Sequence, residues 1–338
     1  LCIMDSTTRS QGGTAMSHRG TGPLSKPEIS TTYASILSDL RNLSLTYYYS
    51  GDMNQAAQLA RQAADIARNP SVAPVDQIKA LLHLADVLVW QAAFQTSDFD
   101  AAQKVLEQAH TAACEQNALV MVGRTVDLLG LLGYFRALSG LASYESALVP
   151  AHEAHDILVE AGSPQALAEA LFHLGLIYQN TDQTEQASGA FEHALSIAQA
   201  HDLKVEQSFY TRHLAMLAEK RGDLTSAEIY YRESLSLRQE TGYQVFTTLS
   251  HTSLGLALAE LGKSDEARSH IEQAVSLART LNLPRILMVT HNGAGQFFES
   301  VGYMAAARAA YEEALQFARR INHQQAVEEI EDKMKALG

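Results

Sequence analysis

The chain has 338 residues, 46% of them hydrophobic, and a formal net charge of −13. That balance lacks the surplus of Lys and Arg that displaces counterions from nucleic acid, and it disfavours anionic membranes. No run of about eighteen apolar residues occurs, so no membrane-spanning helix is expected; the two cysteines, Cys2 and Cys114, form no disulfide framework and point to a reducing cytoplasmic setting.

Residues 1–29 hold Gly12-Gly13, Gly20, Gly22, Pro23 and Pro27 among many Ser and Thr, without apolar periodicity. They read as a flexible lead-in. The apolar start Leu1-Cys2-Ile3-Met4 is too short for a secretory signal core. Leu1 is not an initiator, so the chain is expected to be processed, to be cut from something larger, or to carry added residues before Met4 or Met16. Helical periodicity opens near Thr31, and a first pair of helices runs to Arg68 around the turn Ser50-Gly51-Asp52. Asn69-Pro70 and Pro74 stop one helix and start the next. A second pair follows to Gln116 and a third to Ala161. Gly162-Ser163-Pro164 then supplies a helix end, an N-cap and a first-turn proline. Four more pairs follow, with Gly222-Asp223, Gly262-Lys263 and Gly302-Tyr303 in internal turns. Residues 322–338 are charged, with few apolar positions, and read as a capping helix. No strand pattern appears.

The pairs are copies of one unit. An alanine opens each second helix at Ala56, Ala102, Ala147, Ala187, Ala227, Ala267 and Ala307, the last four spaced by forty residues. Seven residues on stand Ala63, Ala109, Ala154, Ala194, Ser234, Ala274 and Ala314. Twelve before the anchor lies a small residue: Ser44, Gly175, Ala215, Gly255 or Gly295. In the second and third units Ala85 and Gly130 stand seventeen before it, so those first helices or their turns are five residues longer. Short side chains let antiparallel helices approach, and larger ones fill the flanking holes. Leucines just before the small residue, from Leu43 to Leu254, are the expected fillers, with Phe191, Tyr231, Ile271 and Tyr311 four after the anchor. One hairpin cannot bury its own apolar face, so the units must stack.

Leu174-Gly175, Tyr178, Ala187, Phe191 and Ala194 resemble the tetratricopeptide repeat, which places a Leu-Gly pair and an aromatic in its first helix and Ala, aromatic, Ala in its second. The family's early Trp is Leu171 here, its closing Pro is absent, and the period is longer. The resemblance implies an all-α fold: a right-handed α-solenoid of seven repeats over residues 30–321, closed by the capping helix. It also implies a concave groove lined by first-helix residues. By register these include Arg41, Tyr48 and Tyr49 in the first unit, and His83, Asp86 and Trp90 in the second. Arg124, Asp127 and Tyr134 follow in the third, and Glu169, Phe172, His173 and Asn180 in the fourth. Phe209, Arg212 and His213 follow in the fifth, Thr252 and Ser253 in the sixth, and Asn292, Gln296 and Glu299 in the seventh. Of the run Tyr47-Tyr48-Tyr49, Tyr47 is expected to pack between helices and the other two to face inward.

Such a groove suits an extended peptide, so the leading expectation is a scaffold that binds a protein or peptide segment. A small-molecule sensing domain of a larger regulatory protein is the first alternative. A solenoid turned enzyme is the second, because His83 and Asp86 lie three apart on one helix face, with Asp127, His173 and His213 at nearby inward positions. Nucleophile elbow, phosphate loop and HExxH motifs are missing, which weighs against catalysis. No cofactor is expected. His152, Glu153, His155 and Asp156 cluster on a second helix and read as a solvated face rather than a zinc site.

Overall fold

A computed structural model describes residues 23–96 and 98–337. The residue 1–22 portion of the expected lead-in lies outside the described residues. The described residues form seven antiparallel helix pairs and a terminal helix, and no strand occurs among them. The pairs are α1 (Lys26–Ser50) with α2 (Met53–Ala67), α3 (Pro74–Gln91) with α4 (Asp100–Glu115), and α5 (Leu119–Leu138) with α6 (Tyr144–Ala161). Then come α7 (Pro164–Asn180) with α8 (Thr184–Ala200), α9 (Lys204–Lys220) with α10 (Leu224–Thr241), and α11 (Gln244–Glu260) with α12 (Ser264–Leu281). The last pair is α13 (Pro284–Ser300) with α14 (Met304–Arg320), followed by the cap α15 (Gln324–Ala336).

The first helix begins at Lys26, four residues before the expected boundary. Ser25 precedes it, Pro27 occupies its first turn, and the Ser25 backbone N–H donates to the Glu28 carboxylate at 2.8 Å. These start signals overrule the Gly- and Ser-rich composition upstream. The extra residues of the second unit form a π-helical turn, Ala92–Thr96, after α3; those of the third unit lengthen α5 to 20 residues and widen the turn that follows it.

The small residues do what the spacing predicts. A Cβ built on Gly175 would stand 2.5 Å from the Phe191 ring, and one on Gly295 would stand 2.5 Å from Tyr311. In the third unit both partners are small, and Gly130 lies against the backbone of Ala151. Ser44 serves in the first unit, its hydroxyl donating to the Ala56 carbonyl at 2.8 Å. All seven anchor alanines are buried. Two expected packing residues are not: Leu43 is 51% exposed and Tyr47 40%. Both lie on α1, which has no preceding described unit to fill the face that later units cover.

The solenoid curls round until it touches itself. Tyr48 and Tyr49 at the end of α1 meet Tyr243 at the start of α11, with ring centroids 5.6 and 4.6 Å apart. Gly51, in the first internal turn, sits against Leu281 and Val245. Trp90 and Phe94 meet Phe246 at 5.6 and 5.7 Å. Arg285 of α13 donates from Nε to the Ala93 carbonyl and from Nη2 to Ser139 Oγ, the latter at 3.0 Å. Thus the front ends of α11 and α13 close onto the back ends of α1, α3 and α5, and one apolar core runs across the joint from Tyr48 to Leu287.

Candidate functional site

Closure divides the expected concave groove into two hollows. Trp90, Phe172 and Phe209 line both, so a wall of aromatic rings stands between them. Phe209 and Phe246 are 4.5 Å apart edge to face, and Phe246 packs edge-on against Trp90, geometries that suit the ring quadrupole.

The first hollow, about 500 Å³, opens at the N-terminal ends of α5, α7 and α9. Charge is interleaved around it. Arg41, Arg124 and His173 alternate with Asp86, Glu169 and Glu206, over a floor that includes Tyr48, Tyr49, Tyr210 and Tyr243. Arg124 bridges two units through Glu169 at 3.1 Å, and that carboxylate raises its pKa further. Burial pushes the Asp86 carboxyl up to about 6, against the opposing pull of Arg124. Burial also raises Glu206. His173 donates from Nδ1 to Asp127 at 2.9 Å. Burial alone would lower its pKa, but Asp127 outweighs that and the net shift is upward.

The second hollow, about 380 Å³, lies at the C-terminal halves of α5 and α7 and is walled on one side by α15. Tyr134, Asn180, Arg212, His213 and Asn292 line it, with Phe94, Phe135, Phe246, Ile286 and Met288 as apolar surface. Burial holds His213 well below the usual histidine range, so it is neutral and donates from Nδ1 to Gln179 at 2.7 Å.

Sixteen of the twenty-one expected groove residues border a cavity, and three corrections follow. Asp127 is buried beneath the surface, behind His173. His83 faces a separate side cavity with Arg41 and Lys79, and burial lowers its pKa to about 4. It does not pair with Asp86, and its Nε2 is buried without a hydrogen-bond partner. The acid–base pair that does form joins neighbouring units, His173 with Asp127. In the last two units Asn292 alone of the expected inward residues borders a hollow, while Thr252, Ser253, Gln296 and Glu299, most of them farther along their helices, do not. Ser253 receives Arg212, Glu299 receives Tyr311, and neither borders a hollow. Tyr243, Phe246 and Arg285, at helix starts, hold the inner positions instead. Their aromatic and basic character was the available signal. The cap does more than close the end, because His323, Gln325, Glu329 and Ile330 line the second hollow.

No helix of the described residues is long and apolar enough to cross a membrane, and no group of three potential metal ligands converges among them. Of the outer cluster, His155 contacts Asp156 at 3.0 Å and His152 contacts the Tyr178 hydroxyl at 3.2 Å.

Two family models match the chain, both described as tetratricopeptide repeat, one over residues 168–201 and the other over 207–280. No curated protein matches it in sequence. Among solved structures it is similar to the apo form of RapI, with 15% identity, 86% of this chain and 98% of that one covered, and a TM-score of 0.59. It is also similar to a signal transduction ATPase with numerous domains, bearing a tetratricopeptide repeat sensor, from Pyrococcus horikoshii: 15% identity, 91% of this chain, 46% of that one, TM-score 0.53. A third is the apo form of the quorum sensor NprR from B. thuringiensis, with 14% identity, 90% and 86% covered, and a TM-score of 0.50. At these identities the likeness is one of fold.

Proposed function

Since the chain is a solenoid of tetratricopeptide repeats, we propose that it is an interaction module whose first hollow holds a peptide segment of another protein. The observation that carries this is the interleaving of Arg41 and Arg124 with Asp86, Glu169 and Glu206 over a tyrosine floor. A peptide main chain presents donors and acceptors in alternation, and its side chains bring either charge. A site with one sign of charge would select a simpler ion. The walls come from rigid helices of five units, so little ordering is lost when a ligand enters. The similar structures include a quorum sensor and a repeat sensor, which supports a role in recognition rather than turnover.

The test is selection from a displayed library of random peptides against the intact chain. Peptides should be recovered whose binding weakens at least about tenfold in Arg124→Ala and in Glu169→Gln, since each change strips one partner from a charge-assisted pair. Leu43→Ala, on the uncovered face of α1, should leave them unaffected. Failure to recover any peptide, or indifference to both cavity variants, would end the reading.

A further inference from the structure

We propose that the second hollow is a site for a small organic acid, its apolar body seated against Phe94, Phe135 and Phe246 and its carboxylate held between Arg212 and Arg285. The proposal is independent of the peptide reading, because the two occupants use opposite sides of the aromatic wall.

The argument begins with two guanidinium groups that touch no carboxylate. Arg212 donates from Nη2 to Ser253 Oγ at 3.2 Å and rests Nη1 on the Met216 sulfur at 3.3 Å. Its Nε is buried with no partner. Arg285, only 7% exposed, spends Nε and Nη2 on Ala93 and Ser139, both neutral acceptors. Neither forms an ion pair among the described residues. A third arginine stands behind the wall. Arg238 is fully buried, bonds only neutral oxygens of Phe246, Ser250 and Ser208, and lies 5.2 Å from the Phe209 and Phe246 rings. Scarcity of acid does not explain this, since the chain has 38 acidic residues against 25 basic ones. Glu219 is near enough to act on Arg212 electrostatically but bonds the Tyr231 hydroxyl, and Glu329 on the wall bonds Gln325, each at 2.8 Å, so neither carboxylate contacts a guanidinium. A guanidinium taken from water without a carboxylate keeps its desolvation cost until an anion arrives.

The donors also share one cavity. Arg212, Arg285 and the Tyr134 hydroxyl all line the second hollow, and Asn180 Nδ2 approaches that hydroxyl at 3.5 Å. Two cations and a hydroxyl on the wall of one hollow suit a carboxylate, whose two oxygens accept several bonds. The remaining wall is aromatic and aliphatic, and the volume lies within the usual range for small-ligand sites. The first hollow is the contrast: its Arg124 already has Glu169 at 3.1 Å.

The probe is decanoate, added to the intact chain and followed by calorimetry and by fluorescence of Trp90, the sole tryptophan, which borders the hollow. Decanoate should bind saturably, with decanol and decyltrimethylammonium at least about tenfold weaker, because only the acid supplies the missing charge. Arg212→Gln should weaken decanoate by a similar factor while its circular-dichroism melt shows an intact fold. Glu169→Gln, in the other hollow, should change nothing. Arg285→Lys, which keeps the charge but loses the fork, checks the second arm if Arg285→Gln fails to fold. Absence of decanoate binding, equal binding of decanol, or an Arg212→Gln variant that binds like the parent overturns the proposal. So does binding of a leucine-ended peptide acid, but not its amide, by a chain that ignores decanoate. The site would then read a polypeptide terminus.

Discussion

Asp86 and His83 stand three residues apart on α3, and burial moves them in opposite senses. The Asp86 carboxyl titrates near 6 in the folded chain against 3.8 as a free side chain, so the folded state favours its protonated form. That group lowers stability as pH rises from about 4 to about 6 and leaves a constant penalty above. His83, lowered to about 4 from 6.5, prefers to be neutral when folded, so its contribution is lost as pH falls through that window. The two slopes offset each other in the parent. Asp86→Asn should remove one of them. Urea denaturation should find the variant more stable than the parent at pH 7, by roughly 1–3 kcal/mol, with the advantage shrinking toward pH 4. An advantage that stays constant with pH would mean that Asp86 does not titrate as its surroundings require. His173 shows the other limit: equally enclosed, but held by Asp127 at 2.9 Å, it shifts upward instead.

The helix pair owes its closeness to residues that lack side-chain bulk. Gly175 lets the Phe191 ring lie where its own Cβ would be, and Gly255 and Gly295 do the same for Ile271 and Tyr311. Gly175→Leu should therefore cost roughly 1–3 kcal/mol or more by overpacking, read as a lower midpoint in a thermal melt. Gly189 is also helical but has open space where a Cβ would go, so Gly189→Ala should be neutral or stabilising by about 0.5–1 kcal/mol. This part of the molecule was legible in the chain because hairpin packing is local: the two partners lie sixteen residues apart and recur in register. What was illegible depends on contacts between distant units. His173 finds Asp127 across 46 residues, whereas the tempting neighbours His83 and Asp86 face different cavities. Tyr243, Phe246 and Arg285 enter the hollow because the superhelix meets itself there, and no spacing within their own unit announces that. Tyr47 and Leu43 fit the repeat pattern but lie on the one unit with no described neighbour before it.

At the scale of the molecule, closure rests on few contacts, and one of them tolerates no side chain. Gly51 combines a φ of +91° with a Cβ position 2.5 Å from Leu281. Gly51→Val should cost roughly 2–4 kcal/mol, adding backbone strain to the clash, and small-angle scattering should show an expanded particle. Gly222 has a similar φ of +80° but open space around it, so Gly222→Val should lose stability through the backbone alone and keep its dimensions. Equal expansion in both, or in neither, would show that the Gly51 contact does not hold the turn shut.

An open stack of repeats is a one-dimensional object: each unit feels only its neighbours, and the ends fray first. Contact between the first unit and the sixth, and between the second and the seventh, removes that independence. Peeling away α13 and α14 also strips Arg285 from Ala93 and Ser139, so damage at one extremity is felt at the other. The molecule should lose its outermost helices together, in one cooperative event, and what melts then is the chamber itself.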